Sequence, residues 1–434
     1  MVIWERKTLG ELVKTKKGFA FKSGWYSGSG RRIVKVSDFT ADSVDTSNLV
    51  CIPEVIASGL LQYELNAGDV VIQTVGSWPS NPASVVGKCV RIPKDIDGAL
   101  LNQNAVRLSP TQQLDSVFLY YLLRSDVFKN YIIGTAQGAA SQAAITLEAI
   151  RAYTFGLPPF SAQLRIASIL STYDDLIENN TRRIAILEEM ARRIFEEWFV
   201  HFRAPGCEGL PMVDSALGPV PATWAVSQIT DLVKFQRGRS YRSDELVEVG
   251  GCPFVGLKCL EREGGFRPDG MKRIEAACKP EHEVRAADLL MALTDMTQKR
   301  LIVGRTARIT DLQGEVGVFS MDLAKVVPHS SAEQGFVYSL LRWSDYSDRV
   351  KEFANGANVL HLSLEAASSQ LVLVPPTDLR TEFSSMIEPS LALTRYLEMQ
   401  KRNLRAQRDH LLPKLISGEI DLSTSSVQIP EAAE

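Results

Sequence analysis

The chain has 434 residues, too many for one ordinary core, so two to four domains are expected. A hydrophobic fraction of 45% and a charged fraction of 23% fit a soluble globular protein, and no stretch reaches the ~20 apolar residues of a membrane span. The formal net charge of −3 gives no overall basic character, and the opening MVIWERKTLG lacks a secretory apolar core, so a cytoplasmic location is expected.

The first 35 residues nevertheless carry nine cations against Glu5 and Glu11. Short β-type runs follow (IVKVSDF, DVVIQTV, ASVVGKCVRI), broken by Gly, Pro and Asn, and then an amphipathic helix around 116–131. This pattern predicts a mixed α/β globule of domain size. From Ser161, a plausible N-cap, to Phe202 there is neither Gly nor Pro. Apolar positions there step 4-3-4-3 through Ile166, Leu170, Tyr173, Ile177, Asn180, Ile184, Leu187, Ala191, Ile194 and Trp198, which predicts a coiled-coil helix. Such a helix is about 60 Å long at 1.5 Å per residue, longer than a small domain is wide.

The whole pattern then recurs. LVKTKKGFAFKS at 12–23 returns as LVKFQRGRSYRS at 232–243, VGK at 86–88 as VGR at 303–305, and FLYYLLRS at 118–125 as FVYSLLRW at 336–343. AQGA at 136–139 returns as ANGA at 354–357, TLEA at 146–149 as SLEA at 363–366, and LPP at 157–159 as VPP at 374–376. The offset drifts only from 220 to 217, so the chain is an internal duplication. A second long helix is predicted from near Asp378 to about Ile416, with its seam at Met386, Ser390, Leu393, Leu397, Gln400, Leu404, Gln407 and Leu411 and a kink at Pro389. The first helix is acidic between 174 and 197 and the second basic between 395 and 414, which favours pairing of the two, expected to be antiparallel.

No catalytic motif is found. LPPF at 157–160 lacks the polar first residue of an amino-methyltransferase motif, no phosphate-binding loop is complete, and the five histidines fall in no nucleophile motif. The six cysteines are scattered, without metal-ligand spacing.

Two globules, each entering a long helix through Pro-Pro, resemble the specificity subunits of type I restriction–modification systems. The strongest local matches are LPPFSAQLRIASILSTYDDLIENN at 157–180, RRIFEEWFVHF at 192–202 and RDHLLPKLISGEIDL at 408–422; VPPTDLRTEF departs in lacking the usual Gln after Pro-Pro. The resemblance implies an α+β chain with target-recognition domains at 1–158 and 206–376 and coiled-coil helices at 159–205 and 377–420. A C-terminal tail at 421–434, expected to be disordered, would follow. The helices would form an intramolecular antiparallel coiled coil with pseudo-two-fold symmetry. It further implies a non-catalytic subunit that reads a bipartite, asymmetric double-stranded DNA target. Two methyltransferase subunits and the restriction/translocase subunits would be its partners. S-adenosylmethionine, ATP and Mg2+ would belong to those partners, with no cofactor or metal on this chain.

Charge kept at equivalent places in both copies points to DNA backbone contact: Lys14, Lys17 and Lys22 reappear as Lys234, Arg237 and Arg242. Lys35, Arg107 and Arg305 are further candidates. The loops TVGSWPSN at 74–81 and LTDMTQKR at 293–300 differ between copies, as reading two different half-sites requires. Gln73, Ser77, Asn81, Thr297, Gln298 and Arg300 are candidate base readers there. Ile166, Leu170, Ile177, Asn180, Ile184, Leu187, Ile194, Trp198, Leu397, Leu404 and Leu411 are the expected coiled-coil and partner-binding positions. A catalytic subunit and a coiled-coil scaffold without a DNA role are the competing readings.

Overall fold

The computed structural model describes residues 4–40, 42–78, 85–138, 142–275, 279–420 and 422. The chain divides into two compact units, one of residues 1–177 with 403–434 and one of residues 178–402. The division falls inside both long helices rather than at their ends.

In the first unit, β1 (Val13–Lys17), β2 (Val70–Gln73), β3 (Cys89–Arg91) and β4 (Ala105–Pro110) form an antiparallel sheet in the order β1-β4-β2-β3. In the second unit, β5 (Val233–Arg237), β6 (Leu289–Ala292), β7 (Thr306–Arg308) and β8 (Leu323–Pro328) repeat that order as β5-β8-β6-β7. The register repeats too: Lys14 lies opposite Ser109 and Lys234 opposite Val327. Each unit also pairs two strands in parallel, Ile33 lying opposite Leu100 in the first and Phe254 opposite Val318 in the second. The duplication legible in the sequence is therefore a duplication of topology.

Helix α1 (Ser116–Arg124) packs into the core of the first unit, with Phe118, Leu119, Leu122 and Leu123 buried beside Val70, Ile72 and Val106. Its start is fixed by Asp115, whose carboxylate accepts from the Phe118 amide at 2.8 Å. The long helix α2 (Phe160–Phe195) then passes into a π-helical turn at Glu196–Val200. In the second unit α3 (Gln334–Trp343) stands where α1 does, and α4 (Thr377–Ile416) is the second long helix. That helix continues through Pro389, where a kink was expected.

Each helix entry is closed differently. Gln163 is buried; its amide donates to the carbonyls of Pro158 at 2.9 Å and Gln113 at 3.0 Å and accepts from the Asp115 amide at 2.9 Å. The corresponding position after the second Pro-Pro is Arg380, which donates to the Pro375 carbonyl at 2.6 Å and pairs with Glu333 at 2.9 and 3.0 Å. Arginine thus keeps the bond to the first proline and adds a charge that Glu333 neutralises, so the departure from the Pro-Pro…Gln pattern is compensated.

The helices pair antiparallel within each unit. In the first, Ile166, Ala167 and Leu170 of α2 share a core with Leu412 and Leu415 of α4. In the second, Phe195 and Trp198 meet Phe383 at ring-centroid distances of 6.0 and 5.8 Å, and the buried Asn180 donates to Gln400 at 3.4 Å. Ile166, Leu170, Ile177, Asn180, Ile184 and Trp198 are buried as expected, while Leu187 and Ile194 are half-buried. In the second seam Leu397 is buried where it was expected, but most of the other positions move by one: Phe383, Ile387, Leu391, Thr394, Lys401, Arg408, Leu412 and Leu415 are buried. Leu404 and Leu411 are only half-buried, and Met386 is exposed. Most buried positions of α2 have a buried counterpart 217 residues later, the same offset as the Pro-Pro entries. The polar core residues Lys401 and Arg408 had disguised that frame. No helix among the described residues is long and apolar enough to cross a membrane.

Candidate nucleic-acid interface

β1 and β5 are the edge strands of their sheets, each hydrogen-bonded on one side within its sheet. The two present identical patterns of burial: Lys14 and Lys17 on β1, and Lys234 and Arg237 on β5, are the exposed positions. Each strand then runs into a glycine that passes against a neighbouring backbone. A Cβ on Gly18 would lie 2.0 Å from the Asn102 carbonyl oxygen, and one on Gly238 would lie 2.2 Å from that of Ser320. The exposed Lys22 and Arg242 follow at equal spacing.

Among the described residues, Lys14, Lys17, Lys22 and Lys234 make no ion pair. Arg237 donates through Nε to the Met321 carbonyl at 3.3 Å, and Arg242 meets Asp244 at 3.2 Å with both side chains largely in solvent. Such exposed pairs are weak and readily exchanged. In the first unit the lysines also line up with aromatic faces: Lys16 over Tyr63 at 4.8 Å, Lys22 over Trp25 at 5.5 Å and Lys35 over Tyr26 at 5.4 Å. Sequence reasoning missed Lys16, Tyr26 and Tyr63, although aromatics interleaved with a basic run are a visible signal.

The loop candidates fare differently. Gln73 is fully buried, and its amide donates to the Val75 carbonyl at 2.9 Å; Ser77 is buried as well. Gln73 thus serves the strand turn, and Ser77 is only 8% exposed. Asn81 lies outside the described residues. Arg107 donates to the Glu64 carbonyl and lies 3.5 Å from Asp69, and its equivalent Lys325 pairs with Asp288 at 2.6 Å. That matched pair neutralises a turn aspartate in both copies. Arg305 pairs with Asp348 at 3.1 Å and Arg300 with Glu352 at 2.6 Å, while Gln298 donates to the carbonyls of Gly356 at 3.3 Å and Ala357 at 3.0 Å.

The second loop is organised by Asp295, which the sequence reading passed over. Its carboxylate accepts from the Thr297 amide at 2.8 Å, the Thr297 hydroxyl at 2.9 Å and the Ile302 amide at 2.8 Å. Burial acts to raise this carboxyl, but those donors outweigh it and hold it below the ordinary carboxylate range. Thr297 is thus turned inward onto Asp295. Burial pushes the Cys89 thiol up to about 12 and Cys259 up to about 11, so both stay protonated. Among the described residues no group of three or more His, Cys, Asp or Glu side chains is arranged to hold a metal.

Residues 1–189 match the family model of the type I restriction modification DNA specificity domain. The chain is 24% identical over 333 residues to the type I restriction enzyme MjaIX specificity subunit of Methanocaldococcus jannaschii, covering 74% of this chain and 72% of that one. It is 21% identical over 415 residues to the HindI specificity subunit of Haemophilus influenzae, covering 83% and 88%. The fold is similar to the crystal structure of the type I restriction–modification S subunit from M. genitalium, with a TM-score of 0.57, 17% identity and coverage of 95% and 96%. The domain match over residues 1–189, the relatives that run through both copies and the similar fold are all to specificity subunits of type I restriction–modification systems, which this chain resembles along both copies of its repeat.

Proposed function

We propose that this subunit reads a bipartite, asymmetric double-stranded DNA target, one half with each unit, and directs partner methyltransferase and restriction/translocase subunits to it. The observation that carries this reading is the matched set of exposed cations on two equivalent edge strands, in a chain whose two copies carry different loops at 74–81 and 293–300. Equal cations suit a phosphate backbone that is the same at both half-sites, and unequal loops suit bases that are not.

Adenine N6-methylation and cleavage are assigned to the partners, along with S-adenosylmethionine, ATP and Mg2+, in the cytoplasm. Two methyltransferase subunits are expected, one for each copy of the repeat. Exposed large apolar side chains on the outer faces of the helices support docking there: Leu164 and Leu176 in the first unit, Ile186, Met190 and Tyr396 in the second. The test is to co-express the chain with its methyltransferase partner and map N6-methyladenine across the genome. A split motif with a fixed unread gap is expected, and exchange of residues 1–156 should change one half only. Methylation unchanged by that exchange would refute the proposal.

A further inference from the structure

Each unit joins its globule to the helix pair through an arginine at the same place. Arg124 on α1 donates to the Tyr120 hydroxyl, with its guanidinium 5.1 Å from that ring. Arg342 on α3 donates to the Tyr338 hydroxyl, with its guanidinium 5.6 Å from the ring. Beyond the tyrosine the two units part. Arg342 reaches the carboxylate of Glu188 on α2 directly, at 3.0 and 3.1 Å. The offset of 217 that relates α2 to α4 puts Arg405 where Glu188 stands. The first unit therefore has an arginine at the place where its own arginine needs a carboxylate.

Asp42, carried by the first globule, resolves the conflict. One of its oxygens lies 3.0 Å from Arg124 and 3.0 Å from Arg408, and the other 3.1 Å from Arg405. The same Arg408 nitrogen also meets Asp174 of α2 at 2.5 Å, and Asp174 accepts from Tyr121 at 2.6 Å. The Arg408 side chain is only 3% exposed, so its charge depends on these carboxylates and on the adjacent Asp409, which its Nε meets at 2.9 Å. Burial acts to raise the Asp42 carboxyl, but Arg408, Arg124 and Arg405 hold it at about 2, and it is charged at any physiological pH.

We propose that Asp42 is a positioning residue: it stands in for the helix carboxylate that the second unit has at Glu188 and sets the seat of the first globule on the helix pair. Its effect on the DNA target rests on the split-site reading above. A globule with a carboxylate at this point matches the arginine-bearing segment of α4, and one without it matches the glutamate-bearing segment of α2. The two positions for a globule are thus distinguished by charge as well as by shape.

The test uses the full chain with its methyltransferase partner and three variants: Asp42→Asn, Arg405→Glu and the two combined. Thermal melting and genome-wide N6-methyladenine maps are read for each. Asp42→Asn should lower the melting temperature by roughly 5 °C or more. It should also cut methylation at sites of the native gap by roughly tenfold or more relative to sites with the gap one base pair longer or shorter. Arg405→Glu alone should fail likewise, because the introduced carboxylate would sit against Asp42. The double variant should recover both readouts, with the carboxylate introduced on α4 meeting Arg124 as Glu188 meets Arg342.

Unaltered gap selectivity in Asp42→Asn, whatever its melting temperature, overturns the positioning role. A double variant no better than the worse single one overturns the charge substitution, even if a single variant fails to fold. A wild-type map without a split motif would refute the functional reading instead, and the melting temperatures would still decide whether Asp42 replaces the helix carboxylate.

Discussion

Removing the three cations of the first edge strand and its following turn, by changing Lys14, Lys17 and Lys22 together to Ala, should alter the salt dependence of DNA binding more than its selectivity. All three side chains are exposed and none is in an ion pair among the described residues, so the fold loses little. If each neutralises one phosphate, the slope of log K against log salt falls by about 0.9 per contact, or about 2.7 for the three. Over a fourfold rise in salt, from about 50 to about 200 mM, that difference amounts to a factor of about 40 in affinity. Fluorescence anisotropy of the assembled complex on a duplex carrying the mapped target, and on a scrambled duplex, measures both slopes. Binding to the two duplexes should weaken alike, because phosphate contacts carry no base information. Lys129→Ala, an exposed lysine already beside Asp126 at 3.4 Å, is the control. A slope unchanged in the triple variant, or lowered as much per lysine by the control, would refute the edge-strand interface.

Three further outcomes follow from packing and charge. Gly18→Ala forces a Cβ to 2.0 Å from a carbonyl oxygen and should cost about 2 kcal/mol or more in urea denaturation, with Gly238→Ala behaving likewise in the other unit. Leu170 is fully buried and Leu176 is 45% exposed, so Leu170→Ala should cost about 2–5 kcal/mol while Leu176→Ala stays within about 0.5 kcal/mol; equal losses would mean the seam is misassigned. The Asp42 carboxyl lies below its ordinary value of 3.8, at about 2, so its contribution is complete above pH 3.8 and disappears as pH falls through about 2. That contribution is about 2 kcal/mol before allowance for its partial exposure, and the gap in stability between wild type and Asp42→Asn should close across that window.

Much of this was legible in the sequence because it is local or repeated. Two copies of the same edge-strand pattern, with exposed cations at the second and fifth positions, turned a basic run into matched positions. The loop side chains were legible only as chemistry. Thr297 is consumed by Asp295 two residues away, but Gln298 finds its partners at Gly356 and Ala357 and Arg300 at Glu352, more than fifty residues on. Polar residues in a variable loop look like base readers until such distant partners are known. Gln73 and Ser77 were misplaced for a related reason: a polar residue at the end of a buried strand carries no mark that its strand turns inward.

The one-residue error in the second helix seam has a more instructive origin. Reading α4 alone, the apolar residues Met386, Leu393, Leu404 and Leu411 outcompete a frame that must accept Lys401 and Arg408 in the core. Carrying the 217-residue offset of Pro158-Pro159 into the helix would have fixed the frame without regard to polarity, since Ile184 then maps onto Lys401 and Ala191 onto Arg408. Hydrophobic periodicity fails where a charge is buried, and charges are buried where a partner neutralises them. Lys401 has Glu398 at 3.0 Å, one turn away on its own helix, and Arg408 has Asp174 and Asp42. The break in the pattern therefore marks a contact, and at Arg408 it leads from the helix pair to the globule that the pair carries.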